Sequence, residues 1–99
     1  MKIFLDSDDR QLPSGWIHLR WPDEVIRMLK KQSVDIISLT ESLGDDQRAG
    51  GMDLLVWIEV RWRTYGHLPP VCVVHDQDPI SRVRLQQQID KLKALIHDA

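Results

Sequence analysis

The chain has 99 residues, of which 42% are hydrophobic and 28% charged, which is the composition of one ordinary globular domain. Its net charge of -2 and dispersed lysines and arginines argue against a nucleic-acid module, which needs a positive face. No apolar stretch approaches the roughly 20 residues that span a bilayer, and early aspartates exclude a signal peptide. We therefore expect a cytoplasmic domain whose single cysteine, Cys72, is a reduced core residue.

Three short apolar runs predict strands, and each leads into acidic or polar residues. The runs are residues 2–5, 35–39 and 71–74, and the polar segments are residues 6–9, 40–46 and 75–78. In an open parallel sheet, ligands bind outside the carboxyl ends of the strands. We call that edge of the sheet the rim, and we expect the three polar segments to converge there.

Three helices are predicted between and after these strands. The first begins at Trp21-Pro22-Asp23-Glu24, because proline suits the first helical position and early acids complement the helix dipole. The second runs from Met52 to about Tyr65, where Gly66 ends it. The third begins with Asp78 as N-cap and Pro79 at the first position. The order β-α-β-α-β-α predicts an α/β domain over residues 1–99.

The second helix is apolar on more than one face. One stripe contains Leu54, Leu55, Ile58, Trp62 and Tyr65, and Val56, Trp57 and Val60 broaden it. Such a helix is either enclosed in the core or used at an interface, and both alternatives stay open. An exposed Trp57 would indicate a docking patch, and a homodimer through this helix is one form of that interface.

Several segments follow one another in a characteristic order. They are Ile3-Phe4-Leu5-Asp6, Pro13-Ser14-Gly15-Trp16, Trp21-Pro22-Asp23-Glu24-Val25-Ile26, Leu43-Gly44-Asp45-Asp46, the stretch 51–59, and Val74-His75 with Pro79. Together they resemble the cyclic-phosphate-processing receiver domain family over nearly the whole chain. The resemblance implies a small three-layer receiver-like fold with a short parallel sheet, an acidic rim, and activity on cyclic or related phosphoesters. By analogy with flavodoxin-like topology, we expect strand order 2-1-3, with the first strand central.

The chain departs from the family pattern at the centre of the expected site. Thr40, Glu41 and Ser42 stand where the family has Asp-His-Asp, so no aspartate follows the middle strand to accept a phosphoryl group. After the third strand, Asp76, Gln77 and Asp78 replace Ser-Ala-Asn. These departures favour a domain whose catalytic site has been lost.

Each candidate site residue has a functional and a structural interpretation. Asp6, Asp8 and Asp9 either bind Mg²⁺ or Mn²⁺ or form a polar turn. His75 either acts as general acid or base or fixes the strand end, and Glu41 is either a ligand or base or an exposed loop residue. The other three histidines, including His18, are expected at the surface. Acidic charge at the rim is completed by Asp45, Asp46, Asp76 and Asp78.

Two classes of function follow from these residues. Without a cation, an acidic rim repels phosphates but suits a partner with a basic surface. The first class is a non-catalytic interaction or inhibitor domain that binds another protein through the acidic rim and the apolar second helix. The alternative is a divalent-metal-dependent phosphoesterase acting on cyclic or nucleotide-like phosphates; a third interpretation is binding of a small phosphorylated ligand without catalysis. The compact chain would suit a phage or other mobile element.

Overall fold

The computed structural model describes residues 1–8, 11–43 and 49–98. They form an α/β domain with four parallel strands and three helices. The strands are β1 (Lys2–Leu5), β2 (Trp16–Leu19), β3 (Ile36–Leu39) and β4 (Val71–Val74). The helices are α1 (Pro22–Lys31), α2 (Gly51–Tyr65) and α3 (Pro79–His97). The predicted α/β class and parallel sheet are confirmed.

The sheet has the order β2-β1-β3-β4, which corrects two expectations. Strand β2 was not predicted, because His18 interrupts its short sequence Trp-Ile-His-Leu and no acidic segment follows it directly, unlike the three predicted strands. The first run was expected at the centre, between the other two runs, but β3 lies between β1 and β4. The flavodoxin-like start of the order, 2-1-3, is kept only because β2 takes the second place.

The hydrophobic core lies on one face of this sheet. Side chains alternate between the two faces along each strand, and the register places five buried ones on the same side. They are Ile3 and Leu5 of β1, Ile37 and Leu39 of β3, and Cys72 of β4. The same buried cluster includes residues from each helix, namely Val25, Leu54, Leu55, Ile58, Leu85, Ile89 and Leu92. Since α2 also contacts both α1 and α3, all three helices cover this face. A third layer, expected from the sequence, is not seen among the described residues.

The predicted helix ends are confirmed by their capping contacts. Pro22 opens α1, and the Glu24 carboxylate accepts hydrogen bonds from the backbone N–H groups of Arg20 and Trp21. The Asp78 carboxylate caps α3 by accepting from the backbone N–H of Ser81. Helix α2 ends at Gly66, whose φ of 71° is left-handed. No helix of the described residues is long and apolar enough to cross a membrane.

Candidate functional site

A shallow depression of about 200 Å³ lies at the rim, where β1, β3 and β4 end. It is lined by Asp6, Ser7, Asp8, Thr40, Ser42, His75, Asp76 and Gln77. The polar segments that follow β1, β3 and β4 therefore converge, as the sequence predicts. What this depression can do depends on where the hydrogen bonds of its polar groups go.

Asp6 and His75 form a buried polar pair at the centre of the rim. Asp6 is only 5% exposed, and its Oδ2 lies 2.9 Å from His75 Nε2. A carboxylate can only accept, so Nε2 donates to Asp6, and the other ring nitrogen, Nδ1, lies 2.8 Å from the Ser38 hydroxyl. Both ring nitrogens of His75 are thus bonded inside the protein.

The His75 ring is also held by an aromatic contact. It stacks on Phe4 of β1 with a centroid separation of 4.1 Å and an interplanar angle of 13°. On the other side of β1, His18 of β2 is hydrogen-bonded through Nε2 to the Asp6 carbonyl oxygen at 2.7 Å. His18 was expected at the surface, and this contact corrects that expectation. The His75 ring is therefore held at the end of β4 by contacts with both β1 and β3.

Asp76 also bonds to several groups at the rim, and its hydrogen bonds connect the end of β3 to the start of α3. Its carboxylate accepts from the backbone N–H of Glu41 and of Asp78, each at 2.9 Å. Partial burial alone would raise the pKa of Asp76, but these two bonds and a third from the Thr40 side chain outweigh it, so the pKa lies below its ordinary value. Asp76 therefore stays ionised and holds two loops together.

Glu41 accepts hydrogen bonds from the first residues of α2. Its carboxylate oxygen Oε1 accepts from the backbone N–H of Met52 at 3.4 Å, and its carbonyl oxygen accepts from Gly51. A side chain at Gly50 would collide with Glu41, and one at Gly51 would collide with the Thr40 carbonyl. These two glycines allow α2 to begin directly against the end of β3. Glu41 is a half-buried helix-capping residue, not an exposed loop glutamate.

The predicted metal ligands are only partly described. Asp6 and Asp8 lie at the rim, where the Asp8 backbone N–H donates to Asp6 Oδ1 at 2.9 Å, while Asp9 lies outside the described residues. Among the described residues, no group of three or more histidine, cysteine or carboxylate side chains could hold a metal ion, and no buried side-chain polar atom lacks a partner. The described rim thus does not by itself fit a cation. The three-aspartate site stays a prediction.

The remaining candidates fall in three places. Asp78 is the N-cap of α3, next to Asp76. Asp45 and Asp46 lie outside the described residues. Trp57 lies on α2, away from the rim.

Helix α2 presents apolar side chains to solvent, so it is not fully enclosed in the core, which was one of the two alternatives that its sequence left open. Val56 and Val60, one turn apart, are both exposed on the side opposite the core. Beside them, the half-buried Trp57 packs under the Arg61 guanidinium, 5.3 Å from the ring centroid. A depression of about 280 Å³ is lined by Lys30, Trp57, Val60, Arg61, Tyr65 and His67. We call Val56 and Val60 with this depression the α2 surface.

Two residues of the rim were missed by sequence reasoning. Ser38 looks like one polar position in an apolar strand, and Phe4 looks like an ordinary core residue. Ser38 is in fact buried at 6% exposure beneath His75, and Phe4 lies on the face of the sheet opposite the core. The signal that could have found them is alternation: Phe4 and Ser38 share register across β1 and β3, on the same face as Asp6.

Comparison with protein-family models gives one match. The model described as "Cyclic-phosphate processing Receiver domain" matches residues 1–91. Comparison with curated proteins and with solved structures finds no significant match. The family match covers most of the chain, including all four strands and most of α3.

Proposed function

The chain belongs to the cyclic-phosphate processing receiver domain family, and we propose that it is a non-catalytic member that binds another protein. The main support is a contrast in bonding. Both ring nitrogens of His75 bond within the rim, whereas apolar side chains of α2 stay exposed. To act as general acid or base on a bound substrate, His75 would have to exchange one of these bonds for one to the reacting group.

The other rim residues support the same proposal. Glu41 bonds to the start of α2, Asp76 bonds two loops, and Asp78 caps α3. Thr40 stands in the place expected for a phosphoryl-accepting aspartate. It is buried, and its side chain forms a hydrogen bond with Asp76. These groups stabilise the fold at the positions where the family pattern has other residue types.

The α2 surface has the composition of a binding hot spot. Tryptophan, tyrosine and arginine are the residue types enriched where binding energy concentrates, and Trp57, Tyr65 and Arg61 line one depression. Lys30 and Arg61 make that depression basic, so it suits an apolar side chain flanked by carboxylates.

Charge changes sign along α2, which indicates the shape of the partner. The helix begins at the acidic rim beside Glu41 and ends at the basic depression near Tyr65. A partner segment that lies along α2 would contact Val56 and Val60 with an apolar stripe. It would place basic residues near the rim and acidic residues near Arg61.

A displayed peptide library tests this proposal without a known partner. The wild-type protein should select peptides with an apolar stripe, one basic end and one acidic end. Val60→Glu should weaken a selected peptide by about tenfold or more, because it places a carboxylate in the apolar contact. Val83→Glu is the matched control, since Val83 on α3 is 55% exposed and Val60 53%. Binding unaffected by Val60→Glu would contradict a role for the α2 surface.

A hydrolysis assay tests the non-catalytic part. Wild-type protein and Asp6→Asn are incubated with 2′,3′- and 3′,5′-cyclic nucleotides in the presence of Mg²⁺ or Mn²⁺. We expect no turnover by either protein. Metal-dependent turnover that is lost in Asp6→Asn would overturn the proposal in favour of a phosphoesterase.

A further inference from the structure

Strand β4 has a free edge. It pairs with β3 on one side, and no strand of the described residues pairs with its other side. The backbone N–H groups of Val71 and His75 donate to Asp35 and Leu39, toward β3. Because backbone groups alternate in direction along a strand, those of Cys72 and Val74 point outward. Four hydrogen-bonding groups are therefore directed away from the sheet.

This edge lacks the usual protection against pairing. Natural edge strands are guarded by charged residues, prolines or bulges within the strand. The β4 sequence Val-Cys-Val-Val contains none of these residues, and Pro69 and Pro70 precede it. Val71 is 56% exposed and Val73 42% exposed. The free edge is thus both apolar and able to accept another strand.

An apolar cleft adjoins the same edge. It has a volume of about 180 Å³ and lies between β4 and α3. Cys72, Ile89, Leu92 and Ile96 contribute to its lining. The cleft opens on the core side of the sheet, the side to which Cys72 and Val74 point. Side chains of an added strand would cover it.

We propose that β4 pairs antiparallel with β4 of a second copy of this chain across a two-fold axis at Val73. In this register Cys72 of one copy lies opposite Val74 of the other, so all eight outward backbone groups find partners. The two Val73 side chains meet at the axis, and Val74 of the second copy covers the cleft beside Cys72. The two four-stranded sheets become one continuous sheet.

Two observations favour a second copy over a foreign strand. The strand has no charged residue, so pairing with itself places no like charges directly opposite each other along β4, and the one charged residue among the described residues that line the adjoining cleft is Lys93 of α3. A two-fold pairing also closes both β4 edges at once, whereas a foreign strand would leave a new edge exposed. Pairing of four-residue strands alone buries little area, and a stable interface needs about 1,000 Å² or more. The adjoining cleft and the flank of α3 extend the contact.

The first test measures the mass of the protein in solution by sedimentation equilibrium at micromolar concentrations. We expect a dimer. Val73→Lys should weaken dimerisation by about tenfold or more, because two ammonium groups would face each other at the axis. Val83→Lys, on the exposed face of α3, should leave it unchanged. A monomeric wild-type protein would overturn the proposal.

The second test fixes the register and does not depend on the lysine variant folding. Cys72→Ser removes the native thiol, and Val73→Cys is added to it. Opposite residues of a non-hydrogen-bonded antiparallel pair have Cα atoms about 4.5 Å apart, within the range for a disulfide. Mild oxidation should yield a cross-linked dimer. Val71→Cys in the same background should not cross-link, since its copy lies four positions out of register. Cross-linking through residue 71 and not 73, or a dimer that Val60→Glu alone dissociates, would contradict the proposed axis.

Discussion

The rim and the α2 surface differ in where their side chains are used. At the rim, Asp6, His75 and Asp76 form hydrogen bonds within the fold. On α2, Val56 and Val60 point into solvent and Trp57 is only partly covered. Carboxylate and histidine side chains, which are usually associated with catalysis, therefore stabilise this domain at the rim. Apolar side chains, which usually lie in a core, are exposed to solvent on α2. The role of a carboxylate or histidine depends on its bonding partners more than on its position at a strand end.

The largest expected effect comes from removing His75. His75→Ala removes the Nε2 donor from the buried Asp6 carboxylate and removes the ring stacked on Phe4. Breaking a buried pair in this way should lower the free energy of unfolding by about 3 kcal/mol. The measurement is urea denaturation followed by tryptophan fluorescence. Peptide binding at the α2 surface should be unchanged under conditions where the variant is folded.

His67→Ala is the control for this prediction. His67 is exposed beside α2 and accepts a hydrogen bond from Arg61, so its loss should cost less than about 0.5 kcal/mol. An equal, small effect of both substitutions would remove the distinction between the rim and the surface. A large loss of peptide binding in His75→Ala, with the fold intact, would make the rim a binding site.

The fold was largely predictable because its signals are local. Pro22, Gly66 and Asp78 mark helix ends through contacts within a few residues, and these positions were all confirmed. The expected order of strands was wrong because β2, Trp-Ile-His-Leu, lacks the apolar run followed by acidic residues by which the other strands were predicted. The convergence of the polar segments at the rim was predicted, but their hydrogen bonds were not, because the bonded residues are far apart in the sequence: Asp6 and His75 are 69 positions apart. Knowing that Ser38 lies beneath the ring requires knowing that β3 separates β1 from β4.

An intermediate effect is expected where the rim meets α2. In Gly51→Ala, the new methyl group would collide with the Thr40 carbonyl oxygen, which belongs to the backbone and cannot rotate away. Helix α2 must then shift from β3, and we expect a loss of about 2 kcal/mol in the free energy of unfolding. Gly15→Ala is the control: Gly15 has a φ of 91°, but no heavy atom lies within 4 Å of an added Cβ. It should lose about 1 kcal/mol, from backbone strain alone.

Comparing the two glycine variants sharpens the contrast between the regions. Chemical denaturation gives the stabilities, and selected peptides give the binding. If Gly51 acts only through the packing of α2, Gly51→Ala should weaken peptide binding at the α2 surface, and a larger displacement of the helix should weaken it more. Gly15→Ala lies outside α2 and should not affect peptide binding. A Gly51→Ala variant as stable as the wild type would mean that the contact between α2 and β3 is loose.

The smallest effect should depend on pH and belongs to Asp76. Its pKa in the folded protein lies below the ordinary value, so ionised Asp76 stabilises the fold above the unfolded pKa of about 3.9. That contribution is lost as pH falls through the folded value. Asp76→Asn should therefore be less stable than the wild type at neutral pH, with a difference that shrinks in acid. Asp90→Asn on α3 is the control, because Asp90 is exposed and accepts a hydrogen bond from Gln86 of the same helix.

The pH dependence decides what the rim carboxylate does. If Asp76 acts through its hydrogen bonds to Glu41 and Asp78, the difference between the wild type and Asp76→Asn must vanish once the wild-type side chain is protonated. A difference that persists unchanged into strong acid would mean that shape, and not charge, accounts for the effect. A variant more stable at neutral pH than the wild type would mean that repulsion among the rim acids outweighs these bonds. The acidic rim would then be strained, as expected of a surface kept for a basic partner.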